Sequence, residues 1–384
     1  MIRSPCSRAT IGFIIPVGGE RKTTQMLHDA GQGLWLDNIT RDLLESGKLG
    51  RYIDEFSVTG LSFEPTIFSQ AIKNGTAYDV AIRQKLTEGK STEELLLELT
   101  VEDLTRAADL FWPIYDKTNG ADGWVSLEVS PRLACDSVKT LAAAKDLHAR
   151  AGRPNLFIKI PGTVEGLPAV EEAIFAGVPV NVTLLFSPEQ YFAAADAFLR
   201  GIERRIAAGL TPDVGSVTSV SLGRWDAAAV GKVPGTPSNQ LGIAIARRTY
   251  KVCRTLLGSP RWQRDLDAGA RPQRLLWANS GAGDSHASGA LSIRTLAAPF
   301  TLHAISEGTL RAPADHSETL ALLPPDGGDC EEVLAKFAKA GIDIYALAAR
   351  FQIEGLASLV KSWNELIETI ASKRLRLGEG QIGV

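Results

Sequence analysis

Short apolar runs recur along the chain, separated by longer stretches in which apolar positions return every three or four residues. The runs are Leu34–Ile39, Phe56–Ser62, Gly123–Val129, Leu156–Ile160, Val178–Phe186, Gly215–Leu222, Arg274–Ser280 and Pro299–Ile305. Each has the length and turn-forming flanks of a strand. The intervening stretches Thr92–Tyr115, Ser137–Ala151, Val164–Phe175, Ser187–Ala208 and Gln240–Leu257 have helix periodicity. Ser187-Pro188-Glu189 adds a helix-start signal, proline at the first helical position with an acid beside it. Eight strands alternating with helices predict an α/β fold, a (β/α)8 TIM barrel, with further helices in Cys330–Leu375. The long interval from Arg224 to Arg274, with its Pro/Gly loop "GKVPGTPSNQ", reads as an insertion within that barrel. The domain expectation is an N-terminal extension, residues 1–25, loosely ordered, followed by a single barrel domain over 26–384.

Composition narrows the function classes. The chain of 384 residues is 45% hydrophobic and 22% charged, which is ordinary for a globular protein. Basic and acidic residues number 41 and 44 and are interspersed, so the stripe of a nucleic-acid binder is absent. No apolar run approaches the roughly 18 residues of a membrane span. Pro16 interrupts the apolar patch Ile11–Val17, which argues against a secretory signal. Cys6, Cys135, Cys253 and Cys330 are scattered, a pattern that fits a reducing, cytoplasmic setting. The five histidines show no metal-ligand spacing. "GAGDSHASG" (Gly281–Gly289) does not match the dinucleotide fingerprint.

The strand ends carry the chemistry. In a barrel, reactive groups stand at the C-terminal ends of strands and point inward. Lys159 lies in the apolar run "FIKIPGT", where a lysine without a role is uncommon. Alternation sets it opposite Ile158 and Ile160, and puts Asp37 with Trp35, Glu128 with Ser126, and Asn181 with Thr183. Each has a plainer reading: Asp37 as a helix cap, Glu128 as an ion-pair partner, Asn181 and Thr183 as ordinary interior residues. His303, near another strand end, reads equally as an added acid–base group or as a core histidine. Burial disfavours an ammonium, and a neutral amine can condense with a carbonyl to give an iminium. Glu128, through a water held by Thr183, and Asp37 would move the protons, and no metal or organic cofactor is needed.

"LWLDNITRDLL", "PTIFSQAI", "VSLEVSPRL", "FIKIPGT", "VPVNVTLLFS", "SEGTL" and "FAKAGIDIYALAARFQIEG" resemble, in order, the blocks of the transaldolase family in its longer bacterial form. The resemblance covers about Met26 to about Leu375. It implies a class I aldolase-like barrel that carries dihydroxyacetone on a lysine between sugar phosphates, without a cofactor. It further implies Lys159 as the Schiff-base lysine, Asp37 and Glu128 as the acid–base carboxylates, and Thr183 as the threonine on the catalytic water. Asn181, Ser219 and Arg224 match positions that contact the substrate or its phosphate.

The departures cluster at the substrate. Glu64 stands where the family has asparagine, and Ser221 where an aromatic is usual. Asn279-Ser280-Gly281-Ala282-Gly283 replaces a run ending in lysine, and His303-Ala304-Ile305-Ser306 replaces Asn-Thr-Met-Pro. Glu64, Ser280 and His303 are therefore expected to line an altered substrate site that recognises phosphate poorly. Three functions stay open at this level. One is a transaldolase-like enzyme with weak sugar-phosphate activity. Another is the same scaffold repurposed for other lysine–carbonyl chemistry in biosynthesis. The last is a non-catalytic binding barrel. The expected partner is a small carbonyl compound or sugar (phosphate), without nucleic acid or membrane, in a homodimer.

Overall fold

The computed structural model describes residues 23–85, 88–230, 240–278, 294–311, 320 and 322–379. Ser280 and Gly283 fall outside them, as do residues 1–22 and most of the Pro/Gly loop after Val230. Eight strands close into one barrel in sequence order: β1 (Gly33–Leu36), β2 (Val58–Ser62), β3 (Trp124–Glu128), β4 (Leu156–Pro161), β5 (Val180–Leu185), β6 (Ser216–Ser221), β7 (Arg274–Ala278) and β8 (Thr301–Ile305). Every pairing is parallel, and β8 closes on β1 with Leu34 opposite His303.

Alternation sorts the strand residues into two layers. Leu34, Leu36, Leu61, Val125, Leu127, Ile158, Ile160, Val182 and Leu275 face outward, in the large core under the helices. Trp35, Trp124, Phe157, Val217, Leu276, Leu302 and Ala304 face inward as a separate plug. Trp124 and Phe157 stack there at 3.9 Å between centroids, with Trp35 stacked on Phe157 at 6.0 Å. Gly60 has no room for a side chain, since a Cβ would lie 2.5 Å from the Trp124 carbonyl oxygen and 2.6 Å from Trp35 Nε1. The plug's rings fill the N-terminal half of the barrel, and Ser126, Glu128, Lys159, Asn181 and Ser219 lie inward beyond it, toward the C-terminal strand ends.

The helices begin where the sequence supplies caps. Ser187 accepts from Gln190 N with Pro188 behind it, Ser91 and Glu94 form a reciprocal capping box, and Asp136 accepts from Lys139 N. Asp37 is not a cap: Thr40 accepts from Leu43 N and starts the next helix, Arg41–Glu45. The first described helix, Thr23–Asp29, begins ahead of the boundary expected at residue 26, with Thr24 buried in it. At the other end, Gly341 (φ 83) separates Cys330–Lys339 from a 36-residue helix, Ile344–Glu379, whose start Asp343 caps through Tyr345 N and Ala346 N. "FAKAGIDIYALAARF" is thus two helices joined at a turn. The long helix straps the C-terminal face of the barrel. Lys373 pairs with Asp79 at 2.8 Å, Trp363 Nε1 donates to Glu93 at 3.1 Å, and Gln190 donates to the Ala348 carbonyl.

Candidate active site

The inward, C-terminal half of the barrel gathers the polar residues the sequence singled out. Register sets Glu128 beside Lys159 and Lys159 beside Asn181, and Pro161 beside Thr183. Lys159 is 8% exposed. Its Nζ lies 3.4 Å from Glu128 Oε2 and donates to the Phe63 carbonyl at 2.7 Å, so the amine points into the barrel and bridges toward the end of β2. Beside it, Ser219 Oγ donates to Asn181 Oδ1 at 2.7 Å, and Asn181 Nδ2 donates to Ser126 Oγ at 3.1 Å. That chain crosses from β3 to β6 and fixes the Asn181 amide. Thr183 Oγ1 and Glu128 Oε1 are both buried, and among the described residues neither has a hydrogen-bond partner.

Asp37 follows the last residue of β1, held there by its own N–H donating to the Ile305 carbonyl at 2.9 Å. Burial pushes its carboxyl from 3.8 up to about 6, against the pull of the Lys159 charge and with a push from Glu64. Burial also raises Glu128, opposed by the charge and hydrogen bond of Lys159, with Glu64 and Asp37 pushing the same way as burial. Asp37 and Glu128 thus share the field of one amine, and the Glu64 charge bears on both. Glu64 is half-buried and caps the Pro65–Asn74 helix, accepting from Ile67 N at 2.9 Å.

Two expected site residues are placed differently. His303 alternates with the inward Leu302 and Ala304, so it faces the helices together with its register partner Trp277. It is fully buried, and burial lowers its imidazole to about 3, which keeps it neutral. The barrel mouth is therefore not where His303 acts; its nearness to the strand end was the right depth on the wrong face. Arg224, at the start of the helix after β6, is half-exposed, and its guanidinium meets Glu354 of the C-terminal helix at 3.3 Å. Ser221 ends β6, half-buried. Two participants were not among the expected site residues: Ser126, which alternation already set on the face of Glu128, and the backbone carbonyl of Phe63, for which no sequence signal exists.

No group of three His, Cys, Asp or Glu side chains among the described residues is placed to hold a metal ion. A cavity of about 500 Å³ lies at the opposite end of the barrel, lined by Trp124, Phe157 and Leu302 together with Asp122, Arg271 and Arg274, and Lys159 does not line it.

Comparison with known proteins places the chain in a family. The model of the transaldolase/fructose-6-phosphate aldolase family matches residues 34–370. The chain belongs to that family. A transaldolase of Parafrankia sp. (strain EAN1pec) is 38% identical over 90% of this chain and 96% of its own length. The transaldolase of Thermobifida fusca (strain YX) is also 38% identical, over 91% and 97%. That of Mycolicibacterium smegmatis is 36% identical, over 89% and 95%. Transaldolases are transferases of aldehyde and ketone groups, and the family barrel with added C-terminal helices is the fold seen here. No described helix is long and apolar enough to cross a membrane.

Proposed function

We propose that the protein is a transaldolase-type enzyme that carries a dihydroxyacetone unit as a Schiff base on Lys159 and passes it between carbonyl compounds. The observation that carries this reading is the Lys159 amine, shielded inside the barrel mouth, 3.4 Å from a buried carboxyl group. A proton passed from Nζ to Glu128, 3.4 Å away, frees the amine. The free amine then adds to the ketone carbonyl, and loss of water gives the iminium. A carboxylate takes the proton of the hydroxyl beyond the scissile bond. The C–C bond breaks, its electron pair flows to the iminium nitrogen, and an aldehyde leaves behind an enamine. The enamine carbon attacks the incoming aldehyde, its new alkoxide takes the proton back, and water releases the product from Lys159.

Asp37, with its carboxyl near 6, suits the exchange with the substrate hydroxyl, because its two protonation states are close in energy at neutral pH. Glu128 and Thr183 suit a shared water: each presents a buried oxygen without a protein partner among the described residues. Asn181, held by Ser126 and Ser219, offers a fixed amide to the substrate's hydroxyls.

Substrate scope is where this chain departs. Glu64 brings a third carboxylate to bear on Asp37 and Glu128, and the segment containing Ser280 and Gly283 lacks the family's lysine. An anionic phosphate is disfavoured beside extra negative charge and fewer donors. Unphosphorylated or less anionic carbonyl compounds fit this mouth better, in aldol transfer or in another reaction of the same enamine. The test is turnover of fructose 6-phosphate with erythrose 4-phosphate against turnover of unphosphorylated ketoses. Weak or no transfer with the phosphates, alongside a reducible Lys159 adduct with an unphosphorylated ketose, supports the specialised reading. Transfer between the phosphates at an ordinary enzymatic rate removes it and leaves an unspecialised transaldolase.

A further inference from the structure

Thr183 stands at a break in the barrel. Val182 on β5 pairs with Thr218 on β6, but the next paired residue is Leu185, opposite Val220. Over that step β5 carries one residue more than β6, which is a β-bulge. Leu184 takes the left-handed conformation, φ 59, which a branched side chain rarely adopts. Such a conformation persists only where its surroundings hold it, and it recurs at functional sites.

The holding comes from the C-terminal strap. Gln352 Nε2 donates to the Gly162 carbonyl at 2.9 Å and to the Leu184 carbonyl at 3.0 Å. Gly162 N in turn donates to the Thr183 carbonyl at 2.7 Å. One amide therefore ties the end of the lysine strand β4 to the end of the threonine strand β5. Three residues on, Gly355 lets the strap pass close: a Cβ there would come 3.2 Å from both Leu184 Cδ2 and Phe186 Cζ. The bulge leaves Thr183 on the inner face with Lys159, and returns Leu185 to the outer core, fully buried.

We propose that Gln352 is a positioning residue: through the Leu184 bulge it sets where Thr183 Oγ1 stands relative to Lys159. This rests on the reading of Thr183 as the group that holds the proton-carrying water. A shift of that hydroxyl misplaces the water without touching the amine, so proton transfer slows while Schiff-base formation does not.

The experiment uses dihydroxyacetone in D2O. On the enzyme, its iminium loses a C–H proton to a base and regains a deuteron, which NMR follows; borohydride separately counts the iminium on Lys159. Gln352→Met keeps the length and loses both N–H donors, and Ile353→Ala, at an exposed neighbouring position, is the control. For Gln352→Met we expect borohydride trapping and KM within about twofold of the parent and exchange kcat lower by roughly tenfold or more. Gly355→Ala, which presses on the Leu184 side chain from the same helix, is expected to give the same split and serves if Gln352→Met does not fold. Exchange equal to the parent, or lowered only in proportion to trapping, overturns the assignment. A parent that neither traps nor exchanges overturns the Schiff-base reading itself, and the role of Gln352 falls with it.

Discussion

Asp37→Asn keeps the shape of the side chain and removes its charge, so it separates what Asp37 costs from what it does. In the folded chain the carboxyl sits near 6, against 3.8 in the absence of the fold. A raised acid means that the folded state binds the proton more tightly than the unfolded state does. The parent is therefore destabilised by the ionised carboxylate above pH 6 and gains stability as pH falls toward 3.8. Linkage puts the full gain at about 3 kcal/mol, of which about 1.4 kcal/mol appears between pH 8 and pH 5. Asparagine has no such dependence. Urea unfolding of both proteins at pH 8, 7, 6 and 5 should show Asp37→Asn the more stable at pH 8, with its advantage shrinking by about 1.4 kcal/mol by pH 5. Its kcat should fall by roughly 100-fold or more at all of these pH values, the usual share of a general acid–base group. The parent's kcat/KM should drop as pH falls below about 6, where the carboxylate is lost. A stability difference that stays flat with pH, or a variant that keeps its activity, would refute the reasoning.

Glu64→Asn removes the third carboxylate and should raise turnover of sugar phosphates relative to unphosphorylated ketoses, read from the ratio of kcat/KM values. The same variant should move the acid limb of the pH profile to lower pH, because the Glu64 charge is one of the pushes on Asp37. Glu128→Gln leaves the Lys159 amine beside a group that cannot take its proton, and should slow iminium formation by roughly 100-fold in single-turnover trapping. Ser219→Ala deprives Asn181 Oδ1 of its 2.7 Å hydrogen bond and should cost about 1 kcal/mol in urea unfolding while raising KM. Gly60→Ala forces a methyl against Trp35 and Trp124 in the barrel plug and should cost about 1–3 kcal/mol.

The parts of this architecture that repeat were legible in the sequence. Each of the eight apolar runs became a strand, and Ser137–Ala151 and Gln240–Leu257 are helices with the expected ends. Lys159, Glu128, Asn181 and Thr183 came together because alternation along regular strands tells one face from the other. His303 shows the limit of that argument. Depth along a strand was readable, but the face was not, because Thr301, His303 and Ile305 are no more outward in character than Leu302 and Ala304 are inward. Asp37 and Thr40 both had the chemistry of a cap, and only the path of the loop chose Thr40. The β5 bulge had no signature either: "VNVTLL" alternates well enough to read as unbroken, and what holds Leu184 left-handed is a glutamine 168 residues further along the chain. Long-range supports of that kind belong to the packing and not to any local pattern.

The proposed chemistry turns on one buried amine, Lys159, forming a covalent iminium with a ketone. Incubation with dihydroxyacetone or fructose 6-phosphate, reduction with borohydride and peptide mass mapping read it directly. A single reduced adduct is expected on the peptide containing Lys159, absent without ketone and absent in Lys159→Met. Turnover of a ketose with no adduct at that position, or an adduct that survives in Lys159→Met, would contradict it.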